Sequence, residues 1–531
     1  MLTIPLSAPK ISKSSSVIQN LELDLMSLLG IEVGTTGCKA LVISVEGVPL
    51  GQAHRDYSPI IGPAGERELD SPQVWAAVRQ VISEVAACSK RDPIRALSVA
   101  SMGEAMTPLS IEGHILGNCL LGTDQRGAQY LRPLEQRLGV QRLFDITGSV
   151  PGALCSLPKL CWLRDNRRPL YDRTWRFVPW SSLVNHLLGG SSVCDYSLAG
   201  RTLLFDLYHE RWSHEILEAA DLPIAKLPEL APAGTPVGTV SAAAARELGL
   251  PADVRMILGG HDLCCNALGA GCVRHGMVTL YLGNALYLTV AFQAVALTSL
   301  LLGRGLNMEH HVIPGLFVTF SYNPSGGSAL RWFADTLAPL EKRQAQKRGV
   351  SIYGELLSEM PEEPTRLMVL PHFAPTGPPH FDARSSGAIL GLGLSTARGE
   401  IVKALLEGLL YVLAEGQELV GQVGLRVNLY RATGSIARPD QLLQLAADIL
   451  GASVERPRIV EATALGAAIL AGIGIRVYAN PEEAVSAVVR VQQRFVPDDQ
   501  RHALYRTRME RYRELYPLLR DYLHRLHDLP S

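Results

Sequence analysis

Short apolar runs separated by turns dominate the first half of the chain. "LLGIEV" (28–33), "CKALVIS" (38–44) and "ALSVASM" (96–102) are nearly continuous apolar segments bounded by glycines and hydroxyls, which predicts buried strands. "SPQVWAAVRQVISEVAACSK" (71–90) opens on Ser-Pro and then repeats apolar residues at helical spacing, which predicts a helix. Pro-rich "DLPIAKLPELAPAGTPVG" (221–238) then separates a polar helical region from the strand "MILGG". A second alternating half starts near Gly271. Its "EIVKALLEGLLYVLAEGQELV" has apolar residues at 401, 405, 409 and 413, a strongly amphipathic helix. "QLLQLAADIL" and "ATALGAAILAGIG" predict Ala-rich, closely packed helices, and the tail from Pro481 to Leu529 is charged and helical. "LYLTVAFQAVALTSLLLG" (286–303) reads as buried strand and turn.

At 531 residues the chain exceeds what one core supports, so two domains are the default and three are conceivable. Two successive α/β halves predict two α/β domains with a cleft between them. A net charge of −1 argues against a broad basic surface for nucleic acid. No apolar run reaches the ~20 uninterrupted residues of a bilayer span. The nine cysteines are scattered and form no CxxC pair, which fits reduced thiols and a cytoplasmic protein. Residues 1–27 are Ser-rich and lack the features of a signal peptide. They read as a disordered extension or as a start placed upstream of Met26.

Candidate chemistry begins with Glu32, a carboxylate inside the first strand, just before Gly34-Thr35-Thr36-Gly37. A hairpin tip of this composition presents amides and hydroxyls to an anion, as in a phosphate nest. An acid beside phosphate needs a cation between them, and Mg²⁺ suits that role. An ordinary Gly-rich hairpin with Glu32 in solvent is the alternative. In the second half, "GGHDLCCNALGAG" (259–271) puts Asp262 between a strand and a helix, where it is either a cleft carboxylate or a helix cap. "LYLGNALYLTV" offers a second glycine hairpin, and "RATGSIARPDQLLQLAADILG" a strand, glycine turn and helix suited to a nucleotide. His261, Cys264, Cys265 and Cys272 do not have zinc-site spacing. His310, His311, His372 and His380 read as polar loop residues.

The order of these segments resembles the FGGY carbohydrate kinases, the family of glycerol kinase and xylulokinase, from about Leu28 to the tail. The most specific match is "GAILGLGLSTARGEIVKALLE" (387–407), preceded by "PHFAPTGPPHFDARSS" and followed by "EATALGAAILAGIG". The resemblance implies an α/β fold of two actin–hexokinase-like (ribonuclease H-like) ATPase domains with an interdomain cleft. The N-terminal domain would span 28–271 and the C-terminal domain, with its helical tail, 272–531. It implies ATP and Mg²⁺, with Asp262 as catalytic base and a substrate ligand, and Glu32 at the metal. Gly34, Thr35, Thr36, Lys39, Gly283, Asn284, Gly434 and Ser435 would lie at the nucleotide and its phosphates. Glu104 of "SMGEAMTPL" and Asp124 of "GTDQRG" would hold the sugar, with Arg126 structural. Asp195 has a family counterpart but no arguable role, and a surface salt bridge is an equal reading for it.

Four segments depart from the family pattern. Glu32 stands for Asp, Asn284 for Thr in the second hairpin, and Ser435-Ile436 for a further glycine in the nucleotide motif. Gly122 stands for a tryptophan on the sugar side. The resemblance implies phosphorylation of a sugar or polyol, with a ketopentose such as xylulose or ribulose first and a short polyol second. Homodimers are common among relatives. The rival expectation is a catalytically weakened, sugar- or nucleotide-binding regulatory protein on the same fold.

Overall fold

The computed structural model describes residues 26–62, 65–293, 298–427 and 429–529. The N-terminal extension up to residue 25 lies outside the described residues. In the first half, strands β1 (Ser27–Val33), β2 (Gly37–Ser44) and β3 (Pro49–Asp56) pair antiparallel, and helix α1 (Ser71–Cys88) covers one face. Strand β4 (Ile94–Ser101) joins β1 in parallel and β5 (Arg255–Ile257) joins β4 in parallel. Segment Pro236–Thr239 closes the edge antiparallel to β5. Helix α2 (Asp262–Gly269) follows β5 directly.

The second half repeats this plan. Strands β6 (Val278–Leu282), β7 (Leu286–Phe292) and β8 (Phe317–Asn323) are antiparallel neighbours. Helices α3 (Gly326–Thr336) and α4 (Arg398–Gln422) follow them, the latter covering the predicted amphipathic segment. Strands β9 (Leu429–Thr433) and β10 (Ser453–Pro457) extend the sheet in parallel from β6, Val491–Phe495 closes it antiparallel, and α5 (Ala462–Gly474) follows β10. The duplication escapes a search for short repeats because it is a repeat of topology. Segment 286–303, expected as strand and turn, is β7 and a short helix, Thr298–Gly303, with residues 294–297 outside the described residues. Strand Val491–Phe495 interrupts the tail expected to be all helical.

Strand periodicity assigns the faces of β1. Leu29, Ile31 and Val33 pack with Val74, Val78 and Val81 of α1. Leu28 faces the other way, into a core with Ala464 and Ala468 of α5. Each such fully buried aliphatic side chain is worth about 1.5–3 kcal/mol. Helices α2 and α5 cross in backbone contact. A Cβ on Gly466 would lie 1.8 Å from the Cys265 carbonyl oxygen, and one on Gly269 1.9 Å from that of Ala462. That contact joins the two halves beneath the cleft. Among the described residues no helix is long and apolar enough to cross a membrane.

Candidate active site

Helix α5 lies across β1, with Gly472 beside Leu28 and Ala464 beside Gly30. The next residue on that face, Glu32, therefore points past the first turn of α5, with its side chain 12% exposed. The acid in a buried strand is explained by position: it is where the strand leaves the helix pair. Lys39 pairs with Glu32 across β1–β2, its Nζ 3.8 Å from Oε2. At the tip, the Gly34 N–H donates to Gly37 O (2.9 Å) and the Tyr57 hydroxyl to Gly34 O (2.7 Å). Thr35 and Thr36 are exposed.

The tip of the second hairpin meets the first. Asn284 Nδ2 donates to Thr36 Oγ1 (3.2 Å), and Arg331 Nη2 of α3 donates to Asn284 Oδ1 (2.8 Å). Asn284, in place of a hydroxyl, thus ties both hairpins to a cation. The carbonyls of Gly283 and Asn284 accept from the Gly327 (2.8 Å) and Ser328 (3.1 Å) amides at the start of α3. Gly434 has φ +93°, and a Cβ there would lie 2.4 Å from Leu282 O. Ser435 is exposed beside it. Ile436 does not project freely into this turn. Its N–H donates to Leu282 O (3.1 Å), and its Cδ1 lies 3.5 Å from where Gly327 would carry a Cβ. Sequence reasoning missed Arg331. The available signal was its spacing, four residues after Gly327 and so on the same helix face.

Asp262 is the first residue of α2, and His261 occupies the cap position. The helix-cap alternative is therefore not what the structure shows. Asp262 Oδ1 accepts the Leu263 N–H (2.7 Å) and lies 3.2 Å from His261 Nε2. Burial, then the Glu32 and Glu104 carboxylates, push the Asp262 carboxyl up to about 8, against the Leu263 N–H and Arg201. Its side chain keeps 26% exposure, so water tempers the burial cost. His261 is driven well down by burial and then Arg201, and is neutral. Beneath the site, Asn266 accepts from Thr433 Oγ1 (2.8 Å) and donates to Thr463 Oγ1 (3.3 Å), linking α2, β9 and α5.

Glu104 lies close to Asp262 and has φ +58°, a strained value for a non-glycine residue. Arg201 Nε donates to its Oε1 (2.6 Å), and Arg201 also binds Glu309. Gly122 leaves room here: a Cβ on it would lie 3.2 Å from Glu104 Oε2. Facing this space, Tyr281, Tyr287 and Tyr322 form one row across β6, β7 and β8. Tyr287 stacks on Tyr322 with centroids 5.5 Å apart. Burial raises the Tyr287 phenol, and Tyr322, Asp262 and Glu104 add to it.

Asp124 lies two residues beyond Gly122. Its side chain is fully buried, and its oxygens accept from the Arg67 N–H (2.8 Å), the Arg126 N–H (2.9 Å) and the Arg126 guanidinium (2.6 Å). In this arrangement it organises its own loop. Asp195 is no surface residue: it is fully buried and caps helix Tyr196–Gly200 through the Ser197 and Leu198 amides. His310 and His311 are likewise buried, His310 within strand Glu309–His310.

Two duplicated sheets with facing glycine hairpins and a carboxylate at the start of a central helix define a phosphotransferase on an actin-like ATPase fold. The family model for the N-terminal domain of the FGGY family of carbohydrate kinases matches residues 27–269, and that for its C-terminal domain matches residues 301–475. The chain belongs to this family and is an ATP-dependent carbohydrate kinase, a phosphotransferase with an alcohol group as acceptor. It is 27% identical over 503 residues to a glycerol kinase from Halorhodospira halophila, covering 90% of this chain and 94% of that one. It is equally 27% identical over 503 residues to an autoinducer-2 kinase from Yersinia pestis, covering 92% and 94%. A ligand-bound xylulose kinase from Lactobacillus acidophilus superposes with a TM-score of 0.81 over 93% of this chain and 98% of that one. At 19% identity it supports the fold alone.

Proposed function

We propose that the acceptor is a short open-chain ketose or polyol, with a ketopentose such as xylulose or ribulose first, and that Asp262 takes its proton. The observation that carries this reading is the nearness of Glu104 to Asp262: a Cβ on the preceding Gly103 would lie 3.1 Å from His261 Nε2, itself 3.2 Å from Asp262 Oδ1. Asp262 aligns the acceptor hydroxyl and receives its proton. Glu104 Oε2 accepts from another hydroxyl, and the tyrosine row walls the opposite side. The amides and hydroxyls of Gly34, Thr35 and Thr36, with Lys39 and Arg331, orient and neutralise phosphate oxygens, while Gly283, Asn284, Gly434 and Ser435 border the nucleotide. Bound Mg·ATP supplies the phosphoryl group and neutralises charge in its transfer.

The residues fit that cation. Glu32 raises Asp262 across the site, so a positive charge between them relieves a repulsion the fold has built. Among the described residues no group of three or more His, Cys, Asp and Glu could hold a metal. A pair of carboxylates suits Mg²⁺, which keeps several waters and binds phosphate oxygens with one or two carboxylates.

ADP release over ketopentoses, glycerol and other polyols, and autoinducer-2, tests the reading. With the best acceptor, Glu104→Ala is expected to raise the acceptor KM by ~10–100-fold, the worth of a charged hydrogen bond, and leave the ATP KM unchanged. Equal rises in both would remove Glu104 from the acceptor site. Binding of ATP and acceptor without turnover of any acceptor would favour the regulatory rival.

A further inference from the structure

Arg201 joins the acceptor loop to the second sheet. It follows the short helix capped by buried Asp195. Its Nε and Nη2 both address Glu104 Oε1, and its Nη1 addresses Glu309 Oε1. Arg201 and Glu104 side chains are each 12% exposed, and Glu309 is fully buried. Glu309 pairs with Val318 of β8 and so belongs to the second sheet, whereas Glu104 follows β4 of the first. The neighbouring residues are tied to the first half as well: Asn307 Oδ1 accepts the Val150 N–H (3.0 Å), and the Met308 N–H donates to Gly148 O (2.7 Å).

The arrangement constrains Glu104 tightly. The Glu104 carbonyl accepts from Ser156 Oγ (2.8 Å), the backbone is in the left-handed region, and Oε1 is committed to Arg201. Only Oε2, on the Gly122 side, is left for a ligand. Gly103 is required for this, since a Cβ there would lie 2.9 Å from Arg201 Cγ. One guanidinium also serves two carboxylates in a dry place, and Glu309 Oε2 is buried with no partner. Such an arrangement is costly to keep unless it does something besides stabilise.

We propose that Arg201 is a positioning residue for the acceptor, holding Glu104 with Oε2 turned to substrate, and that Glu309 makes this orientation depend on the second half of the molecule. The inference rests on Glu104 being an acceptor ligand. It makes Glu309, a fully buried residue of the second sheet, a determinant of acceptor affinity.

The test compares Arg201→Gln, Arg201→Lys, Glu309→Gln and Glu104→Ala in the full chain. Steady-state kinetics use the best acceptor of the panel, and titration calorimetry of that acceptor gives the same comparison without turnover. Arg201→Gln is expected to raise the acceptor KM by ~10–100-fold with the ATP KM unchanged, and Arg201→Lys to recover part of the loss. Glu309→Gln, nearly isosteric, is expected to raise the acceptor KM by about 3–10-fold. Adding Arg201→Gln to Glu104→Ala should cost nothing more, since both act through one carboxylate. A normal acceptor KM in Arg201→Lys and Glu309→Gln together, with Glu104→Ala impaired, overturns the positioning role alone. So do additive losses in the double variant. A normal acceptor KM in Glu104→Ala instead overturns the acceptor-site reading beneath it.

Discussion

Asp262→Asn lowers kcat by ~10²–10⁴-fold, the usual worth of a general base. The amide has the size of the carboxylate and still accepts the Leu263 N–H, so the start of α2 survives. What it loses is the capacity to receive the acceptor proton. Acceptor affinity should change little, and the melting temperature should not fall. The pH profile gives an independent reading. The carboxyl stands near 8 with burial as the largest cause, so kcat/KM of the free enzyme should climb as pH rises through that region. Positive charge bound beside Glu32 should move the kcat limb lower, and Asp262→Asn should abolish both limbs. The stability sign follows from the same shift. The folded chain holds this proton more tightly than the unfolded one, whose Asp titrates near ~3.9, so the contribution of Asp262 to stability declines as pH rises between the two values. Asp262→Asn should flatten that decline, as read from melting temperature against pH.

Glu32→Gln is the second large effect. The Mg²⁺ concentration needed for half-maximal rate should rise by about 10–100-fold, comparable to loss of a group that orients a bound metal. Glu32→Asp, which restores the family residue, should keep or improve turnover. Removing the charge also removes one of the two carboxylates that raise Asp262, so the kcat/KM limb should move to lower pH. Unchanged Mg²⁺ dependence and an unmoved limb in Glu32→Gln would take Glu32 out of the phosphate site.

How much of this could be read from sequence depended on the range of the interactions involved. Glu32 and Asp262 were legible because each stands at a strand end against a glycine turn. Helices α1 and α4 were legible from apolar residues at helical spacing, and α5 from an Ala-rich run suited to close packing. Strand Val491–Phe495 was not, since "VQQRF" is a mostly polar edge strand specified by pairing with β10. The capping role of Asp195 was not legible because residue type alone left a surface salt bridge open, while its partners are the amides of its own five-residue helix. The Arg201 cluster was beyond reach for a different reason. Its carboxylates stand 97 and 108 residues away, and nothing local distinguishes an arginine ending a short helix. Gly122 was visible as a missing aromatic, but the use of its space by Glu104 required the folded chain.

Phosphorus NMR of the full chain with Mg·ATP and the acceptor panel tests the central claim most directly. A phosphate monoester of a ketose or polyol should appear in step with ADP, and should be reduced by ~10²-fold or more in Asp262→Asn. Production of inorganic phosphate alone, or a monoester formed equally well by Asp262→Asn, would contradict it.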